Sequence, residues 1–116
     1  MYTLETGIIF SPFKMFFMNV VIHPVHFDAS ESLVEFINKK LVKLDTFFDK
    51  IIEAEVFLKM ETKQNIKDKI VEIKVSVPGK TLFVAKTSKT FEESTDLALH
   101  TIAGQLKKQK GRLQVH

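Results

Sequence analysis

From position 18 onward the apolar residues fall into two alternating periods. The run "MNVVIH" is short, β-rich and closed by Pro24, which predicts a first strand over 18–23. In "DASESLVEFINKKLVKL" the period changes. Leu33, Phe36, Ile37, Leu41 and Leu44 recur at helical spacing. Asp28 is placed to cap this helix, with Glu31 three residues later at capping-box spacing. Phe47 and Phe48 extend the apolar set at the helix end. Strict alternation returns in "IIEAEVFLKMET", with Ile52, Ala54, Val56, Leu58 and Met60 on one face and Glu53, Glu55, Lys59 and Glu61 on the other. "KQNIKDK" reads as a polar loop. "IVEIKVSVPG" alternates again, with Val71, Ile73, Val75 and Val77 inward and Pro78-Gly79 as a turn. "KTLFVAKTS" is a further strand whose inward face is ambiguous, because Leu82 to Ala85 are all apolar. The last helix opens at Thr90, with Glu93 three residues on, and carries a stripe of Phe91, Ala98, Ile102 and Leu106.

The order is therefore β-α-β-β-β-α. The three strands after the first helix form an antiparallel meander, and the first strand joins the same four-stranded sheet. Both helices must bury their stripes on one face of it, giving a two-layer α+β domain. Gly104 sits inside the last helix at a cost of about 1 kcal/mol relative to alanine. It is either a weak spot or a place for close approach.

Length and composition narrow this picture. At 116 residues the chain holds one ordinary domain, and 45% hydrophobic content is that of a globular chain rather than a disordered one. The opening "MYTLETGIIFSPFKMFF" is apolar but broken by Pro12 and Lys14. It is too short to span a membrane and lacks the features of a signal peptide. Residues 1–17 are read as an N-terminal extension, either absent from the native chain or disordered, with Met18 as the start of the domain. The alternative is a short extra strand.

Chemistry is sparse. Cysteine is absent, so no disulfide or thiolate zinc site exists. His23 and His26 lie in "HPVH" without a third ligand at a recognisable spacing, and no metal is expected. Asp45, Asp49, Glu53 and Glu55 fall at a helix end and on a polar strand face, as a solvated acidic edge does. No Gly-rich phosphate loop or nucleophile elbow is present. The pattern points to no enzyme, no cofactor and no small-molecule substrate.

The net charge of +3 is modest, so a case for nucleic acid depends on where the lysines sit. On a helical wheel Lys39, Lys40 and Lys43 gather on one flank of the first apolar stripe. The closing "QLKKQKGRL" carries Lys107, Lys108, Lys110 and Arg112, and the fourth-strand region adds Lys80, Lys86 and Lys89. With both helices on one sheet face, these three groups can converge into a basic ridge suited to phosphate backbones. Lysines carry little sequence information, so binding would be led by shape. No exposed aromatic pair is evident, which argues against a single-strand reader that works by base stacking. At a helix C-terminus such lysines can also simply offset the macrodipole. A membrane-surface role is disfavoured by Glu92, Glu93 and Asp96 at the start of the last helix.

Two stretches carry a family resemblance. "MNVVIHPVHFDASESLVEFINKKLVKLDTFF" has a strand, a short loop and a helix ending in Lys-Leu. "FEESTDLALHTIAGQLKKQKGRL" has an acidic helix start and a Gln-Leu-x-Lys-x-Lys ending, matched by Gln105, Leu106, Lys108 and Lys110. Over residues 18–113 the chain resembles the short ribosome hibernation promoting factors and ribosome-associated inhibitors, the protein Y or sigma-54 modulation family. The resemblance implies a fold like that of double-stranded-RNA-binding domains and a single ribosome-binding domain over 18–113. It implies a cytoplasmic factor that occupies the mRNA and tRNA channel of the small ribosomal subunit. There it would contact 16S-type ribosomal RNA and ribosomal proteins and inhibit translation under stress or in stationary phase. On that reading Lys39, Lys40, Lys43, Lys80, Lys86, Lys89, Lys107, Lys108, Lys110 and Arg112 are the candidate RNA contacts, with Lys80 the weakest. Many members carry Asp-Met-Tyr-Ala-Ala-Ile-Asp where this chain has "TFEESTD", so the tyrosine and any role resting on it are missing here. Ending at His116, the sequence resembles the short form. A generic double-stranded-RNA-binding or RNA-chaperone domain is the alternative, and a small enzyme or protein-interaction module on the same fold is a third.

Overall fold

The computed structural model describes residues 2–3, 19–48, 50–64 and 66–114, with side chains over 19–48, 50–62, 64 and 67–108. The elements are β1 (Tyr2–Thr3), β2 (Asn19–Pro24), α1 (Glu31–Phe47), β3 (Glu53–Lys63), β4 (Ile66–Val77), β5 (Lys80–Ser88) and α2 (Phe91–Gln114). From β2 onward the order is β-α-β-β-β-α, as the periodicities predict. The short β1 pairs with the outer edge of β2, Tyr2 opposite Ile22 and Thr3 opposite Val21. The remainder of the N-terminal extension, residues 1 and 4–17, lies outside the described residues, as does Met18.

Connectivity dictates the sheet. β2 and β3 are parallel, Asn19 opposite Glu53 and Pro24 opposite Leu58, and α1 supplies the crossover that such a pair requires. β3, β4 and β5 form the antiparallel meander, and the sheet order is β1-β2-β3-β4-β5. α1 returns from the end of β2 to the start of β3, so it runs opposite to both. α2 follows β5 after two residues and packs back along β5 and β4. The two helices therefore start at the same end of the sheet and run in the same general direction.

The core lies between sheet and helices. Ile22, Ile37, Leu41, Val56, Leu58, Val71, Ile73, Val75, Ala98 and Ile102 are fully buried in it. In β5 the ambiguity resolves: Leu82 and Val84 point to the helices, while Phe83 is 55% exposed on the open face.

Four local expectations need correction. α1 is capped by Ser30, not Asp28; the Ser30 side chain accepts a hydrogen bond from the Leu33 amide. Serine two positions later is the residue whose backbone turns extended immediately before the first helical residue. Ile52 does not face inward: it is half exposed, and Ile51 is buried in its place. Alternation holds only within the strand, which begins at Glu53, and ahead of it the chain is still turning off α1. Met60 has the inward parity but is 43% exposed, because the core ends at Leu58 and Val71 before the hairpin tip. Most of the predicted 63–69 loop is strand: Lys63 pairs with Ile66, and Gln64 at φ 50° occupies the tight turn. Pairing across β3 and β4 overrides the polar composition there.

At α2 the hydroxyl of Thr90 accepts from the Glu93 amide, as the cap pattern predicts, but the Thr90 amide donates to Ser88 rather than to Glu93. Ser94, fully buried in the next turn, donates to the Lys69 carbonyl at 2.7 Å and lies 2.9 Å from Ser88 Oγ. This cluster ties the start of α2 to β4 and β5. Gly104 is exposed, and a Cβ there would have no neighbour within 4 Å, so nothing approaches it closely.

Candidate nucleic-acid interface

The helix-bearing side of the sheet carries the candidate lysines, whereas Lys59 and Lys74 lie on the open face. On α1, Lys39 and Lys43 are exposed. Lys40 leans toward α2: its ammonium is 3.3 Å from Asp96 Oδ1 and 5.3 Å from the centre of the Phe36 ring. On β5, Lys80 and Lys86 share the parity of Leu82 and Val84 and so fall on the helix side of the edge strand. Lys80 is exposed and Lys86 half-buried. Lys89 is exposed in the link before α2, and Lys107 and Lys108 are exposed near its end. Lys110 and Arg112 are helical, but their side chains lie outside the described residues. Among the described residues, Lys40 is the one candidate lysine held in an ion pair.

These groups share one side of the sheet without forming one compact patch. Lys89 and Lys107 stand at opposite ends of α2, separated by roughly 25 Å of helix length. Acidic side chains interrupt the layer near its start, where Glu31, Glu92 and Glu93 lie in the first turns of the two helices and Asp96 in the second turn of α2. The positive character grows toward the helix C-termini. The last turn of α1 itself carries no basic residue, so this charge is not an offset to the α1 dipole.

The opposite, open face of the sheet has a different make-up. His23 Nε2 is 3.1 Å from Glu55 Oε2, Lys74 Nζ lies 3.9 Å from the other oxygen of that carboxylate, and Lys59 pairs with Glu72. His23 stacks on Phe57 with ring centroids 4.6 Å apart. Its charges are thus matched locally, while those of the helix side mostly are not. His26 lies in the link to α1, at φ 65°. No three metal-ligating side chains cluster among the described residues, and no described helix is long and apolar enough to cross a membrane.

Sequence periodicity misses two features of this surface. One is the neutralisation of Lys40 by Asp96, a pairing between helices that no local spacing reveals. The other is the exposure of Phe47, at 63% the most exposed of the large apolar side chains described. Its neighbour Phe48 packs against the core. Of the adjacent phenylalanines one is exposed and the other partly buried, which the sequence alone does not sort.

Comparison with known proteins agrees with this architecture. A ribosomal subunit interface protein from Coxiella burnetii superposes with a TM-score of 0.69 at 26% identity, covering 79% of this chain and 97% of that one. The N-terminal domain of Thermus thermophilus Protein Y superposes with a TM-score of 0.63 at 22% identity, covering 77% and 93%, a likeness that shows the fold alone. Comparison with curated proteins gives no match. The family model described as sigma 54 modulation protein / S30EA ribosomal protein matches residues 20–114, from the second residue of β2 to the end of α2, and the chain belongs to that family.

Proposed function

We propose that this protein is a ribosome hibernation factor. It binds the small ribosomal subunit in the channel for mRNA and tRNA and inhibits translation by occupying that space. The observation that carries the reading is the family match over residues 20–114. The likeness to a ribosomal subunit interface protein supports it.

The helix layer offers a physical mechanism. Lys39, Lys43, Lys80, Lys89, Lys107 and Lys108, with half-buried Lys86, face ribosomal RNA phosphates, and each contact releases condensed counterions. Lys110 and Arg112 continue the same helix end. Lys40 is a weaker contributor, since Asp96 already neutralises it. Rigidity comes from the sheet and buried core, so the lysines are presented without a folding cost at binding. Blocking by occupancy requires no catalytic step.

The test is competition. In a translation extract the protein should lower the yield of a reporter. On purified small subunits it should displace bound mRNA and initiator tRNA with matching concentration dependence. Binding that leaves both ligands in place contradicts the channel assignment. Equal affinity for any RNA duplex of suitable length favours a generic double-stranded-RNA-binding domain instead.

A further inference from the structure

We infer that Phe47 is a stacking platform for an unpaired RNA nucleotide, with Lys43 of α1 and Lys107 of α2 holding the adjoining phosphates. The inference rests on the ribosome-binding reading and names one of its contacts.

Helix geometry places the three residues together. On α1, Phe36, Lys40, Lys43 and Phe47 fall on a single flank, spaced by four, three and four residues. The Lys40–Asp96 ion pair fixes that flank as the one facing α2. The helices run in the same direction, so corresponding positions advance together from that pair. Seven residues beyond Asp96 is Ala103, partly buried against the core, and one turn further is Lys107, exposed. By this reckoning Phe47 ends α1 at the level of Ala103 on α2, with exposed His100 just before that level, Lys107 one turn after it and Lys43 one turn back on α1.

The chemistry of that arrangement is selective. A phenyl ring exposed to 63% has an open face, and a nucleobase supplies a planar partner for it. Lys43 and Lys107, unlike Lys40, have no carboxylate partner among the described residues, so their charge is available to phosphate. Phe83 on the open sheet face lacks this setting: its cross-strand neighbour Lys74 lies beside Glu55. An apolar protein partner would be poorly served by a single ring between two ammonium groups, whereas a single-stranded segment matches ring and charges at once.

The chain contains no tryptophan, so Phe47→Trp introduces a unique fluorophore. Affinity of the wild type, Phe47→Trp, Phe47→Leu and Phe47→Ala for purified small subunits would be measured across a salt series. Melting curves serve as the check that each variant is folded. The expected result is a loss of roughly 5- to 150-fold for both Phe47→Ala and Phe47→Leu, with the salt slope unchanged because no phosphate contact is removed. Phe47→Trp should keep wild-type affinity and show quenched emission on binding subunits. Wild-type affinity in Phe47→Ala overturns the stacking contact while leaving the ribosome reading intact. Wild-type affinity in Phe47→Leu, or unquenched Trp emission, shows the ring meeting protein or solvent and overturns it too. Failure of the wild type to bind subunits overturns the ribosome reading itself.

Discussion

Lys40 Nζ lies 3.3 Å from Asp96 Oδ1, and this ion pair links the two helices across the surface of the helix layer. Both side chains are about half exposed, at 39% and 54%. A pair so solvated contributes little, so Asp96→Asn should change stability by less than about 1 kcal/mol. It should also free Lys40 and leave ribosome affinity equal or higher at low salt. Thermal melting and subunit titration check the two halves of this expectation.

Thr95 and Ser94 are adjacent, fully buried and opposite in their needs. The Ser94 hydroxyl is bonded to the Lys69 carbonyl, whereas Thr95 Oγ1 has no partner among the described residues. Ser94→Ala should therefore cost about 1–3 kcal/mol by orphaning a carbonyl and loosening the start of α2. Thr95→Val, which removes an unsatisfied hydroxyl at nearly constant volume, should be neutral or stabilising. Urea denaturation of both variants gives the comparison, and a larger loss for Thr95→Val contradicts it.

Gly104 offers a gain. It is helical and exposed, and a methyl group added there would meet nothing within 4 Å. Gly104→Ala should raise stability by roughly 0.5–1 kcal/mol through helix propensity alone. Thermal melting should register the rise, with no change in ribosome affinity.

The centre of the sheet should be the least tolerant region. Ile73 is fully buried on β4, between β3 and β5. Ile73→Ala should cost about 2–5 kcal/mol by leaving a cavity that flanking strands cannot close. Denaturant unfolding measures it directly.

Much of the fold is legible in the sequence because period and burial coincide. Val71, Ile73, Val75 and Val77 alternate, and all four are buried; Leu33, Ile37, Leu41 and Leu44 follow the helical period, and all four are buried. The failures occur where a local signal competes with a tertiary one. The polar stretch 63–69 carries loop chemistry, yet strand pairing from Lys63↔Ile66 to Lys69↔Ser88 holds most of it in the sheet. Ile51 and Ile52 are chemically identical, and only the angle at which the chain leaves α1 decides which is buried. The candidate interface is legible as a set of lysines but not as a surface. Whether Lys40 is neutralised and whether Phe47 or Phe48 faces outward depend on how the two helices meet.

The central claim is that the lysine-rich helix layer binds the small ribosomal subunit. Co-sedimentation with purified ribosomes on sucrose gradients at low and high salt, beside naked duplex RNA, tests it most directly. Wild-type protein should travel with the small subunit at low salt, leave it at high salt and bind duplex RNA weakly. Lys107→Glu combined with Lys108→Glu should remain folded and lose that association. Wild-type protein left at the top of the gradient, or a double variant that sediments as the wild type does, would contradict the account.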